Sequence, residues 1–502
     1  MQVQDALRAQ YYFRALENKL ESIRPYFGGD LSPFFRKVCH SLDQILLPLV
    51  AFELGEAKEK GELEGETPEE RYRSFFLQDG EFTERAKSLP GKYPQLFSQL
   101  DQTLEDAFSN LRIAITRFKQ EAKLSPAKTV DLISHSEKHN GEQTLLFTCE
   151  DGSKWIYKPR DLRPDILLSE FVLHLNLPHP YDLKAPQILA REGYGFMGFL
   201  EHAPCKSRQD VHDYFRRAGV VLAIADSLNY TDGHFENLIA SGPYPFLIDG
   251  ETLFQNFDAK ALKEKTILST GLVQRTAPNE KKKAFHSAFQ ANQKEVYHIL
   301  FPHALNERTD DLQVVFHGYR EGIMHNLPHY EGSYFFAQNF MDEFIQGFEI
   351  GYNAITTHRD TILNDRNWWD RVFNLRALKL VRHTVNYIFL LRRIQQPDAS
   401  ESREKAAALI TEKLGDSPYT SYEIRDLMKG NVPYFFHHPS ERFFSNGDGE
   451  RYPENLPETA LDQIKRHLLS RNDNTRNEAC ELLKTHLLHA KRISQHEPSP
   501  AP

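Results

Sequence analysis

The sequence predicts an α+β protein in which a strand-rich middle is flanked by extensive helical additions at both ends. Two observations carry that reading. The first 125 or so residues, and most of those after about residue 258, repeat apolar side chains at intervals of three and four. Between them, short β-prone runs come in pairs around turn residues, separated by two longer helical patterns.

The N-terminal helices are ALRAQYYFRALENKLESI and YPQLFSQLDQTLEDAFSNLRIAITRF, with GEAKEKGELEGETPEER expected as a solvated loop between them. QTLLFTCEDGSKWIYKP then reads as two strands around Asp151-Gly152, a strong local hairpin signal. RPDILLSEFVLHLN is expected to be a helix, and PQILAREGYGFMGFLEH two further strands. In the next helix, Val211, Tyr214, Phe215, Ala218, Leu222, Ala225 and Leu228 form one stripe, Ser207 is its cap, and Asp210 lies in its first turn. A polar loop and a last hairpin follow in YTDGHFENLIASGPYPFLIDGETLF, where SGPY turns NLIA back onto PFLI. Beyond it, NFMDEFIQGFEIGYNAI and LKLVRHTVNYIFLLRRI are helical, QQPDASESREKA is a surface loop, and the tail SQHEPSPAP is expected to be disordered. The expected divisions are a helical region at 1–128, a strand-rich lobe at 129–205, a loop-bearing segment at 206–260, a helical region at 261–490 and a tail at 491–502. No internal repeat is present.

Composition excludes several function classes. With 502 residues, 40% hydrophobic and 26% charged, the chain has an ordinary globular balance and room for two to four domains or lobes. A net charge of −9 does not support nucleic-acid binding through bulk positive charge. No uninterrupted apolar run approaches the length of a membrane span, and the charged N-terminus lacks the apolar core of a secretory signal. Cys39, Cys149, Cys205 and Cys480 are far apart, so they suggest neither a disulfide framework nor a zinc site, and a reducing, cytoplasmic setting is expected.

The chemistry-bearing residues fall in a fixed order. Lys158 ends the second strand of the first hairpin, Asp232, His234 and Asn237 form D-x-H-x-x-N after the long helix, and Asp249 follows the strand PFLI. Phosphoryl transfer from ATP needs this set: a strand lysine on the phosphates, an aspartate for the attacking hydroxyl, and an amide and a carboxylate for Mg²⁺. Each piece alone has an ordinary explanation as a surface lysine, a polar turn or a strand cap. In this order, with the intervening structure, they predict a two-lobed kinase core. The spacing from Asp232 to Asn237 is that of a kinase catalytic loop, and a histidine inside the loop points to the lipid-kinase-like branch. There is no GxGxxG before Lys158; only Asn140-Gly141 is available to cover phosphates.

DGHFENLIASGPYPFLIDGETLF resembles the central motif of the dehydratase domain of LanM-type class II lanthipeptide synthetases. YKPRDL, GYGFMGFLEHAPC, GFEIGY and EIRDLMKGNVPYF extend the likeness over roughly residues 130 to 450. The resemblance implies a lipid-kinase-like fold that phosphorylates Ser and Thr of a leader-bearing precursor peptide with ATP and Mg²⁺. Phosphate elimination then leaves dehydroalanine or dehydrobutyrine. It assigns nucleotide phosphates to Lys158, the catalytic aspartate to Asp232, loop support to His234, and magnesium to Asn237, Asp249 and Glu251.

The sequence departs from that family at three places. The Asp-x-His motif expected before the lysine strand reads Glu137-Lys138-His139, with Glu142 in place of a second glycine. The elimination run R-x-x-x-R-x-T keeps Arg382 and Thr384 but has Leu378 at the first arginine, with Arg376 and Lys379 nearby and out of register. No Cys/Cys/His zinc set is present, so the chain is not expected to form thioether rings itself, and a separate cyclase is one candidate partner. Two alternatives stay open: a peptide or protein kinase without elimination, and a non-catalytic binding protein on a kinase fold.

Overall fold

The computed structural model describes residues 11–133, 138–276, 286–290, 300–318, 324–454 and 456–495. Helix and sheet are mixed, as the α+β reading predicts. The chain divides into two compact units, each assembled from three sequence segments. One comprises Met1–Pro159, Tyr297–Tyr319 and Leu380–Tyr434; the other comprises Arg160–Val296, Arg320–Lys379 and Phe435–Pro502.

In the first unit two long helices supply much of the core: Pro94–Gln120, which the sequence predicts, and Ser32–Glu59, which the sequence reading did not single out. Phe34, Leu42, Leu46, Leu49, Val50 and Leu54 on the helix Ser32–Glu59 are buried, as are Leu96, Leu104, Leu111 and Ile115 on Pro94–Gln120. Ser32–Glu59 is long and apolar enough to cross a membrane by length and composition, but 61% of that window is buried within the protein, as expected of a core helix. Three antiparallel strands follow: Ala127–Leu132, Leu145–Cys149 and Lys154–Lys158. The rings of Phe118 and Phe147 stack at 4.4 Å and fasten helix to sheet. A second cluster, Tyr387, Leu390, Ile394, Ile410, Leu414 and Leu427, holds the short helices between residues 384 and 428 together.

The second unit is built on the predicted long helix, Arg208–Ser227, whose stripe is buried and whose Ser207 side chain accepts from the Asp210 amide at 3.2 Å. It crosses Met341–Thr357 at glycines. A Cβ on Gly219 would lie 2.0 Å from the Phe344 carbonyl oxygen, and one on Gly347 would lie 1.8 Å from that of Arg216. Backbone cannot yield as a side-chain tip can. Gly347→Ala is therefore expected to cost ~3 kcal/mol, the upper end of ordinary overpacking penalties, or to prevent folding, as urea unfolding would show. Wild-type stability in that variant would show that the helices cross less tightly than described.

Several sequence expectations need correction. GEAKE belongs to the helix Ser32–Glu59, so the expected charged loop shortens to residues 60–67; Thr67, with Glu70 three residues on, then forms a capping box that starts the next helix. The strand Ala127–Leu132 precedes the hairpin predicted around Asp151-Gly152. The region after residue 258 is not uniformly helical. It contributes a four-stranded antiparallel sheet of Ala377–Leu378, Phe435–His437, Phe443–Asn446 and Arg451–Pro453, in that order. LKLVRHTVNYIFLLRRI is a helix only from Thr384, and QQPDASESREKA contains a short helix, Pro397–Ser400, with Ala399 and Ser400 buried. The last helix runs through Gln495, so residues 491–495 are not part of a disordered tail, and the tail's remainder lies outside the described residues. The four cysteines are buried and unpaired.

Candidate active site

Leaving the long helix, the chain enters a loop held by its own backbone. Asp232 has a positive φ of 67°, a conformation costly for a residue with a Cβ. Its carbonyl oxygen draws the donors together: the His234 amide at 2.8 Å, His234 Nδ1 at 3.0 Å and Asn237 Nδ2 at 2.9 Å. Burial opposes charge on His234, but the hydrogen bond to Glu236 and the charge of Asp232 outweigh it and raise its pKa to about 9. The imidazolium can thus donate through Nδ1 to the loop and through Nε2 to Glu236 at 3.1 Å. Gly233 is needed because a Cβ there would meet the Thr270 carbonyl oxygen at 2.5 Å. The Asp232 side chain remains 38% exposed.

The predicted hairpin follows, Leu238–Ser241 against Tyr244–Leu247, with Leu238 opposite Leu247. The Ile248 amide donates to the Asn237 carbonyl at 3.0 Å, so register sets Asn237 beside the residue preceding Asp249. Thr231 and Thr252 exchange hydrogen bonds: the Thr231 amide reaches the Thr252 carbonyl, and the Thr252 hydroxyl reaches the Thr231 carbonyl. The Asp232 loop and the Asp249–Glu251 turn are thereby locked side by side. Glu251 is fixed from a third side, since its carbonyl accepts from the Leu378 amide at 2.7 Å.

One residue of this site has no role in the sequence reading. Arg160 Nη2 lies 2.7 Å from Asp249 Oδ1, and its Nε lies 3.4 Å from Glu251 Oε2. Its Nη1 donates to Asp165 Oδ2 at 2.8 Å, and Asp165 Oδ1 accepts from the Gly250 amide at 2.9 Å. Burial disfavours the guanidinium charge, but the three carboxylates hold its pKa well above the ordinary value. Arg160 stands in YKPRDL just before a helix with Asp165 in its first turn. That pairing was the available signal, but local pattern cannot show that Asp249, far along the chain, completes the cluster.

The remaining predicted residues belong to the other unit. Lys158 is the last residue of the strand Lys154–Lys158. His139 Nδ1 lies 2.9 Å from the Val432 carbonyl oxygen, in a turn where Asn140 and Gly141 both have positive φ. Glu142 lies 3.3 Å from Arg117, and burial raises its pKa against that pairing. Glu137 lies outside the described residues. Arg382 is committed to Glu423, with Nε to Oε1 at 2.7 Å, and the Tyr387 hydroxyl donates to the same oxygen. Thr384 opens the helix Thr384–Ile394.

In the second unit, the two cations near Leu378 are also engaged. Arg376 lies over the Phe436 ring at 4.8 Å, and Lys379 donates to Asn256 at 2.8 Å and pairs with Glu454.

Whether these residues suit Mg²⁺ can be judged from the cation already among them. Asp249 and Glu251 converge on one guanidinium, so both carboxylates are within reach of one positive charge, and Asn237 adds an amide oxygen nearby in register. An all-oxygen donor set suits a hard cation. Among the described residues no group of three His, Cys, Asp or Glu side chains forms a metal cluster, so Asn237 would have to complete the set.

A family model described as a domain of unknown function (DUF4135) matches residues 93–438. The chain is also 24% identical over 442 residues to the Lacticin 481/lactococcin biosynthesis protein LcnDR2 of Lactococcus lactis subsp. lactis, a match covering 79% of this chain and 46% of that protein. The chain thus spans about half the length of the curated relative it matches.

Proposed function

The chain belongs to the DUF4135 family, and from that premise we propose that it is a lanthipeptide-type dehydratase on a lipid-kinase-like core. In this reading it phosphorylates Ser and Thr of a leader-bearing precursor peptide with Mg·ATP and then eliminates phosphate. The observation that carries the reading is the locking of the Asp232 loop against the Asp249–Glu251 turn through Thr231 and Thr252. A relative named for lacticin 481 and lactococcin biosynthesis supports a peptide substrate.

Asp232 accepts the proton of the substrate hydroxyl as that oxygen bonds to the γ-phosphorus and the bond to the β–γ bridging oxygen breaks, releasing ADP. His234 and Asn237 keep the Asp232 backbone in its strained conformation, which sets the direction of the carboxylate. Lys158 holds nucleotide phosphates. Mg²⁺, held by Asn237, Asp249 and Glu251, would neutralise charge on the transferring phosphoryl group. In the elimination step a base removes the Cα proton, the Cα–Cβ double bond forms, and phosphate leaves from Cβ. The resemblance gives that step to Arg382 and Thr384; Glu137, from the motif it shares with His139, can act as a base.

A second reading, a kinase that stops at the phosphopeptide, is favoured by the surroundings of Leu378. The apolar side chain stands where the resemblance expects an arginine, and the nearby cations Arg376 and Lys379 are engaged elsewhere. Mass spectrometry of a precursor peptide incubated with Mg·ATP separates the two. Loss of water is expected for the dehydratase, whereas retained phosphoryl mass supports the kinase. No ATP-dependent mass change on a peptide that binds the protein would sink both.

A further inference from the structure

The Asp249–Glu251 turn contains a problem that the proposed chemistry does not solve by itself. Three carboxylates, Asp165, Asp249 and Glu251, crowd one place, and like charges in a poorly solvated setting repel strongly. Arg160 bridges all three. Each of its three nitrogens faces a carboxylate: Nη1 and Nη2 face Asp165 at 2.8 and 3.4 Å, Nη2 also faces Asp249 at 2.7 Å, and Nε faces Glu251 at 3.4 Å. The second Nη1 hydrogen reaches the Asp161 carbonyl oxygen at 3.0 Å. Only a planar fork with this many donors can serve acceptors spread so widely; a lysine ammonium has three donors on one atom.

The anchor behind the arginine is equally definite. Asp165 is buried on the first turn of the helix Arg163–Leu175, and its other oxygen takes the Gly250 amide, the residue between the two acids. One carboxylate thus grips both the guanidinium and the backbone of the turn that it organises. The arginine side chain is only 12% exposed, so its orientation is set by these partners and not by solvent.

We propose that Arg160 is a positioning residue for the divalent cation: it holds Asp249 and Glu251 close together before metal and nucleotide arrive. The inference rests on the magnesium roles proposed for Asp249 and Glu251. Charge alone argues in the opposite direction, because removing a nearby cation makes the acids more attractive to a metal. Geometry argues for loss, because without the fork the three carboxylates separate and the metal must pull them back together. The sign of the effect on metal affinity therefore decides between a positioning residue and a competing cation.

The test is Mn²⁺ binding to the full chain in the presence of a non-hydrolysable ATP analogue, followed by the paramagnetic signal of the free ion. It compares wild type with Arg160→Gln, Arg160→Lys and Asp165→Asn, with thermal melts run in parallel. Arg160→Gln is expected to weaken Mn²⁺ binding by ~10–100-fold, as loss of an outer-shell partner does. Arg160→Lys should recover part of this and not all, because charge returns without the fork. Asp165→Asn should weaken binding in the same direction, and it keeps the test open if the arginine variants do not fold. Unchanged or tighter Mn²⁺ binding in a folded Arg160→Gln would overturn the inference and leave the metal site standing. No Mn²⁺ binding by wild type would overturn the metal site itself, and the inference with it.

Discussion

Replacing Asp232 by asparagine is expected to lower the rate of phosphoryl transfer by ~10²–10⁴-fold, the usual contribution of a positioned general base, with little change in thermal stability. The two effects should separate because the loop is held mainly through its backbone, with the carboxylate adding a contact to His234 Nδ1 at 3.5 Å. The donors that fix it, from His234 and Asn237, converge on the backbone carbonyl of residue 232, which asparagine keeps. The substitution also keeps side-chain size at a position whose positive φ asparagine tolerates better than most residues. Single-turnover transfer from γ-labelled ATP, with a melting curve of the same preparation, checks both halves. Wild-type transfer would remove Asp232 from its role. A large drop in melting temperature would mean that the carboxylate supports the loop structurally.

A large effect on stability is expected behind the site, at the end of the long helix. Asp226 is buried near the C-terminus of Arg208–Ser227, where the helix dipole disfavours a negative charge. Burial disfavours that charge further, yet His467, Lys265 and Arg471 together hold the carboxyl well below its usual range. His467 Nε2 and Arg471 Nη2 both lie 2.9 Å from Asp226 Oδ2. Asp226→Asn leaves Arg471 buried without its counter-charge and should cost ~3–5 kcal/mol, as breaking a buried pair from one side does.

The pH dependence follows from the depressed folded-state pKa. Stability from this group is present above the unfolded aspartate value of about 3.9 and is lost as pH falls below it towards the folded pKa. Urea unfolding of wild type should therefore weaken on acidification through that range, and the Asp226→Asn variant should show a shallower loss. Equal acid sensitivity in the two proteins would remove Asp226 from the account.

How much of this was legible in the sequence depended on whether the determinant was local. The stripe from Val211 to Leu228, the Ser207 cap and the turn at Asp151-Gly152 follow from side chains within a few residues of one another, and all three formed as read. Asp232, His234, Asn237, Asp249 and Glu251 were legible for the same reason: one loop and one hairpin bring them together. The four-stranded sheet was not legible. Its strands are two to four residues long, too short for an alternating pattern, and its first pairs with one more than fifty residues away. Arg160 was missed because two of its three acidic partners lie about ninety residues on. The run through Arg382 read as one helix because Leu378, Leu380 and Val381 continue its apolar spacing; Leu378 is instead drawn into a strand that pairs with Phe436.

If the Asp232 loop and the acid pair form a site for metal-bound nucleotide phosphates, calorimetric titration with Mg·ATP should show saturable binding by wild type that requires Mg²⁺ and is abolished or greatly weakened by Asp249→Asn. Absence of binding by the folded wild-type chain, or equal binding by the Asp249→Asn variant, would contradict it.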